Sequence, residues 1–191
     1  RKGVELPGSE NINNGYNLPG QNYTAVVLQR KLWARSNISG IFLNRQSTNF
    51  DENDTTLSTS AFNRVAGVDF NFASYDDKWA SSVYLHSSFD PVSKKNALAH
   101  GAFLGYQTRH WTLRYFHNYV GSGYNAELGF VPRKNIYATG TFESAYTFYP
   151  KIENIVTIKI GFESVLSSIP KGRLADVESQ VNVVFAFQNS S

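Results

Sequence analysis

"RVAGVDFNFA", Arg64 to Ala73, alternates without a fault. Ala66, Val68, Phe70 and Phe72 fall on one parity, and Val65, Gly67, Asp69 and Asn71 on the other. A period of two sends the two sets to opposite faces of an extended chain, so the stretch reads as a β-strand with an apolar face. A helix would group residues three and four apart and mix Asp69 with Phe72. The pattern recurs downstream. In "NIVTIKIGFES", Val156, Ile158, Ile160 and Phe162 oppose Ile155, Thr157, Lys159, Gly161 and Glu163. In "ESQVNVVFAFQ", Val181, Val183, Phe185 and Phe187 oppose Gln180, Asn182, Val184, Ala186 and Gln188.

Outward from these anchors, about nine alternating segments of roughly ten residues can be read. They are Tyr23–Leu32, Asn37–Gln46, Ala61–Ala73, Lys78–Ser88, Ala97–Thr108, His110–Tyr119, Asn135–Phe148, Lys151–Val165 and Arg173–Gln188. No window shows a capped 3.6-residue apolar period, so the class is all-β. The connections alternate. "ARSN", "SYDD", "RH" and "YPK" are short, whereas "STNFDENDTTLSTS", "FDPVSKKN", "NYVGSGYNAELGFVPRK" and "LSSIPKG" are longer. Strict alternation places the short turns at one end of an antiparallel up-and-down sheet and the long loops at the other. Transmembrane β-barrels have that asymmetry.

The tryptophans agree. Trp33, Trp79 and Trp111 are next to short turns, as are Tyr75, Tyr146, Phe148 and Tyr149. These seven residues form the expected interfacial girdle, where amphipathic rings sit at the level of lipid headgroups. Alternation alone does not say which face points inward, because a soluble barrel and a membrane barrel differ by that exchange; the turns and the girdle choose the membrane form. Nine strands are an awkward number, since single-chain bacterial barrels have even counts. The segment therefore reads as part of a larger barrel, with residues 1–22 as an extracellular loop or linker and 23–191 as the barrel segment.

Bulk properties narrow the classes further. The chain of 191 residues has no Cys and no Met and starts without a signal peptide, which suggests a processed product of a secreted precursor. No run approaches the ~18 apolar residues of a membrane-spanning helix. The net charge of +3 is scattered, so no nucleic-acid track is present. His86, His100, His110 and His117 lack metal-ligand spacing and read as strand or rim residues. Asp51, Glu52 and Asp54 lack the glycine and ligand spacing of a calcium loop and read as a solvated loop tip. Asp69, Glu143, Glu153, Glu163 and Glu178 include no carboxylate pair fixed by spacing. Neither a catalytic motif nor a metal or cofactor site is expected.

Several elements together resemble a known family. They are Asn22, Thr24, Val27, Arg30 and Arg35–Ser36; Asn44–Arg45; Asn63–Arg64–Val65 with Gly67 and Asp69; and Asn125, Glu127, Gly129–Phe130 and Pro132–Arg133. Their order, over about Gln21 to Asn135, resembles an outer-membrane β-barrel domain of unknown function in Bacteroidota, usually found after a family 9-like carbohydrate-binding module. The resemblance implies a bacterial outer-membrane location, a processed secretory origin and a link to glycans through a module these residues do not contain; the barrel reading itself adds lipid and lipopolysaccharide as surroundings and, for an incomplete barrel, partner subunits.

One connection is too specific for a plain loop. In "YNAELGFVPRK", Tyr124 to Lys134, Gly129 permits a positive φ, Phe130 can anchor in an apolar notch, and Pro132 stops strand pairing. Glu127 and Arg133 could close the loop by a charge-assisted bond. The expectation is an ordered outward loop folded back on the barrel as a lid or constriction. The function expected is an outer-membrane pore, conduit or surface anchor. The alternatives are a soluble lipocalin-like barrel binding a small ligand, or a surface glycosidase.

Overall fold

A computed structural model describes residues 19–48, 60–92, 96–128, 138–169 and 173–188. Nine strands make up one sheet: β1 (Gly20–Leu32), β2 (Ser36–Thr48), β3 (Phe62–Ala73), β4 (Trp79–Phe89), β5 (Leu98–Gln107), β6 (Trp111–Val120), β7 (Ala138–Phe148), β8 (Ile155–Ile169) and β9 (Arg173–Phe187). Each pairs antiparallel with the next, in the order β1 to β9. The up-and-down topology is as the alternation required. The sheet is open, however, because β1 and β9 do not pair among the described residues.

Register settles which residues share a face, since side chains directly opposite in a ladder project the same way. Phe42 faces Ala66, Phe70 faces Val83, Leu104 faces Tyr115, and Ile160 faces both Tyr146 and Val183. These belong to one apolar band that crosses the whole sheet. The other face collects Asp69 opposite Tyr84, Arg114 opposite Glu143, Glu143 opposite Glu163, and Glu163 opposite Gln180. The apolar band is the uncovered one: Leu28 is 74% exposed and Val181 71%. Of the buried strand residues, Arg45, Asn63, Val65, Ser88 and Ala99 lie on the polar face, whereas Ser36, at the start of β2, falls on the other parity.

Glycines on that polar face make room for long side chains from the neighbouring strand. At Gly101 a methyl group would come 2.4 Å from the Tyr84 ring and 2.9 Å from the His117 carbonyl. Tyr84 therefore lies over Gly101 and reaches Asn118, two strands away. His86 lies over Gly67 in the same way and bonds Asp69 at 2.8 Å.

Most strand boundaries fall within a few residues of the sequence reading, and the differences have local causes. β1 begins at Gly20, inside the stretch expected to be linker, because Gly20 to Asn22 pair with Gln46 to Thr48. β8 begins at Ile155, after a turn in which Asn154 takes a left-handed φ of 70°. A register shift between Ile155 and Thr157 then sets Ile155 opposite Phe187, on the apolar side rather than with Thr157 and Lys159. The last connection expected to be longer is short, because β8 and β9 extend to Ile169 and Arg173.

Candidate functional site

The segment after β6 does not lead away from the sheet. Gly121 N–H donates to Leu98 O at 2.8 Å, and Gly123 N–H to Asn96 O at 3.1 Å, which turns the chain back over β5. Only glycine fits at position 121, since a Cβ there would lie 2.1 Å from the Asn96 carbonyl oxygen. Tyr124 N–H closes the turn on Gly121 O at 3.0 Å. From there residues 125–127 cross β4 and β3 to reach β2. That is three strand spacings from β5, roughly 14 Å at ~4.8 Å each, which four extended residues can span.

Each strand on the way supplies one fixed partner. On β4, the buried Ser88 Oγ accepts the Asn125 N–H at 2.9 Å. On β3, Asn63, 2% exposed, donates Nδ2–H to Asn125 O at 2.8 Å and accepts the Glu127 N–H at 3.2 Å. The Asn63 amide thus pairs with the crossing backbone as a neighbouring strand would. On β2, Arg45 is 4% exposed, and its Nε lies 2.5 Å from Glu127 Oε2. That contact is an ion pair whose N–H is not aligned for a hydrogen bond. The Arg45 Nη atoms donate to Gln21 Oε1 at 3.0 Å, Ser47 Oγ at 2.8 Å, Ser60 O at 2.8 Å and Ser60 Oγ at 2.5 Å.

A guanidinium buried this deeply needs a counter-ion, which Glu127 provides, and its Nη donors are filled, while Nε is left to the ion pair alone. Glu127 is one-third exposed, so the pair is anchored from the wall side and hydrated from the other. Burial also holds the Tyr124 phenol above its ordinary 10.0, with a smaller contribution from Tyr84. The result is a peptide segment strapped over the polar face near the long-loop ends of β2, β3 and β4.

The wall around the strap is polar. Asp69–His86, Tyr84–Asn118, Arg114–Glu143 at 3.4 Å and Gln180–Glu163 at 2.6 Å line the same face. Glu143 and Glu163 are directly opposed, a juxtaposition that sequence spacing did not reveal. Each carboxylate already has a partner, in Arg114 and Gln180. His86 and His100, which could have met across a hairpin, lie on opposite faces: His86 pairs with Asp69, and His100 stacks on His117 at 5.1 Å and Tyr119 at 4.9 Å. No cluster of three metal-ligating side chains occurs among the described residues.

The expected loop residues divide. Glu127 is central to the strap, where Arg45 holds its carboxylate. Gly129, Phe130, Pro132 and Arg133 lie outside the described residues, as do Asp51, Glu52 and Asp54. The aromatic set gathers at the short-turn end. Trp79 packs on Tyr106 at 4.6 Å, Trp111 on Tyr146 at 4.8 Å, and Tyr146 on Phe148 at 4.5 Å. Arg109 lies over the Tyr149 ring at 4.4 Å, and His110 meets its edge at 5.3 Å. Trp33 and Tyr75 project from their turns, 74% and 91% exposed. Tyr106 and Arg109 were not picked out from the sequence, and His110 was read only as a strand or rim residue. Their position beside short turns was visible, but their ring contacts depend on register.

Compared with known proteins, the chain matches no family model, and neither curated proteins nor solved structures give a match.

Proposed function

We propose that the sheet is the wall of a transmembrane β-barrel in a bacterial outer membrane, with its polar face lining a conduit that the strap of residues 121–128 narrows. One observation carries the reading: the apolar face lies open, and it is the polar face that receives a peptide segment, over β2, β3 and β4. A soluble barrel would have the reverse arrangement, with Val68, Leu85, Leu104 and Ile160 facing inward. Instead these four are exposed by 44–51%. The strands, 10 to 15 residues long, meet the ~9–11 residues needed to cross the hydrocarbon core at a tilt. Paired aromatics at the short-turn rim fit a headgroup boundary.

The resemblance to the Bacteroidota domain supports the outer-membrane location, signal-peptide export and a link to glycan handling as parts of the same proposal. The reading is tested by fractionation of the native protein and electrophoresis in detergent with and without boiling, followed by single-channel recording in planar bilayers. A membrane-retained band that shifts on boiling, with a conductance that rises when the strap is released, is the expected result. A soluble protein with no shift would overturn the reading and turn the apolar face into an interaction surface of another kind.

A further inference from the structure

Of the phenylalanines in the described strands, Phe103 on β5 and Phe116 on β6 alone project from the polar face; the others belong to the apolar band. The two are directly opposite, with ring centroids 4.8 Å apart and planes inclined by 31°. The tip of the Phe103 ring reaches over Gly105, two residues along its own strand, where a methyl group would come 2.7 Å from Cζ. That ring therefore lies down along the wall instead of standing out from it. The pair makes a low aromatic platform in the middle of β5 and β6, clear of the strap's anchors on β2, β3 and β4. Packing on Gly105 accounts for Phe103, but not for Phe116 beside it, which is 40% exposed. Two rings facing the water of a polar conduit are unfavourably placed unless a ligand covers them.

The surroundings restrict the chemistry of that ligand. Toward the short turns, Arg114 is two residues from Phe116 on β6 and pairs with Glu143 at 3.4 Å. Beyond this pair is a recess of about 80 Å³ whose polar lining includes Thr112, Lys159, Glu163 and Asn182. Arg114 and Lys159 balance Glu143 and Glu163, so the recess favours neither an anion nor a cation. Toward the long loops, Tyr84 donates to Asn118 across the platform's other margin. Donors and acceptors are thus mixed on both sides of the rings. A wholly apolar ligand would strip those groups of water and give nothing back. A ring with an apolar C–H face and a rim of hydroxyls meets both demands.

We propose that this part of the polar face is a binding subsite for a neutral saccharide. One sugar ring lies on Phe103 and Phe116, and its hydroxyls reach Arg114 and Glu143 on one side and Tyr84 and Asn118 on the other. The proposal rests on the reading of this face as a conduit wall and names the class of solute the conduit takes.

The whole native protein in detergent micelles is titrated with maltohexaose, cellohexaose and xylohexaose. Oligogalacturonate, a glucosamine oligomer and indole serve as anionic, cationic and apolar counterparts. Binding is read by calorimetry and by the ring signals of Phe103 and Phe116 in NMR. The expected result is that at least one neutral hexasaccharide binds more tightly than all three counterparts and moves both ring signals. Phe116→Leu should weaken that binding by about tenfold, near the upper end of what an aromatic face adds beyond its area. Phe142→Leu, on the apolar face of the neighbouring strand, should leave it unchanged. The ring signals of the unmodified protein decide the question even where Phe116→Leu fails to fold. Four results would each overturn the proposal: no binding of any neutral hexasaccharide, tighter binding of a counterpart, binding that leaves both ring signals in place, or rings already covered by another segment of this chain. Failure of the conduit reading is separate. It appears as a soluble protein without heat modification or a bilayer without conductance, and calorimetry reads saccharide binding in either case.

Discussion

Replacing Asn63 by Leu tests the strap at its central clamp. The side chain is nearly isosteric and the site is buried, so the change removes two hydrogen bonds without opening a cavity. At about 1 kcal/mol net for each neutral bond, the strapped state loses about 2 kcal/mol relative to the released one. That corresponds to a roughly 30-fold shift in the ratio of the two states. The informative probe is the Asn125 amide, whose own acceptor, Ser88 Oγ, is untouched by the substitution. The Glu127 amide would exchange faster trivially, because its acceptor is deleted. Amide exchange by NMR in detergent micelles should show the Asn125 N–H accelerated by about 30-fold. A Ser88→Ala variant, losing one bond, should accelerate the Glu127 amide, whose own acceptor on Asn63 is untouched, by only about fivefold. An Asn125 amide indifferent to Asn63→Leu would refute the account of a segment held cooperatively at three strands.

Arg45→Met and Glu127→Gln should differ in severity. The first leaves a one-third-exposed carboxylate that water can solvate, whereas the second leaves a buried guanidinium without its counter-ion. Arg45→Met also strips the donors from Ser47 and from the Ser60 carbonyl, so chemical denaturation should show Glu127→Gln less stable than wild type by about 2–4 kcal/mol and Arg45→Met less stable still. Gly101→Ala would force Tyr84 off the wall, and overpacking of this kind costs about 1–3 kcal/mol. A lower temperature of heat modification on a gel would register the loss, and an unchanged temperature would contradict the packing described. In the β3–β4 turn, Lys78 and then Ser74 hold the exposed Asp76 carboxyl down at about 2 from 3.8. Because the folded value is depressed, the contribution is present above 3.8 and lost as pH falls through about 2. NMR titration of Asp76 should show that midpoint, and Lys78→Met should move it up toward 3.8.

Much of the wall was legible in the chain. Arg64–Ala73 fixed a period, and the same period with turn residues located all nine strands. What a period of two cannot carry is contact across non-neighbouring strands. Glu127 looks toward Arg133 in the sequence, a few positions away. The partner it has among the described residues, Arg45, comes from β2, because the chain folds back over β5, β4 and β3 before the carboxylate is placed. Asn63 was visible only as one polar residue of an alternating set. Its role depends on a segment 62 and 64 residues downstream. The place of Ile155 was missed for a smaller reason: one bulge reverses the parity of everything on its far side.

The strap has a kinetic consequence. Every pairing in the sheet joins consecutive strands, so assembly can proceed hairpin by hairpin without waiting for distant parts of the chain. The strap is the exception, because residues 125–127 need β2, β3 and β4 already in place with β6 beyond them. It should therefore be among the last structures to gain protection during refolding, and its formation signals that the wall beneath it has been laid down in the right order.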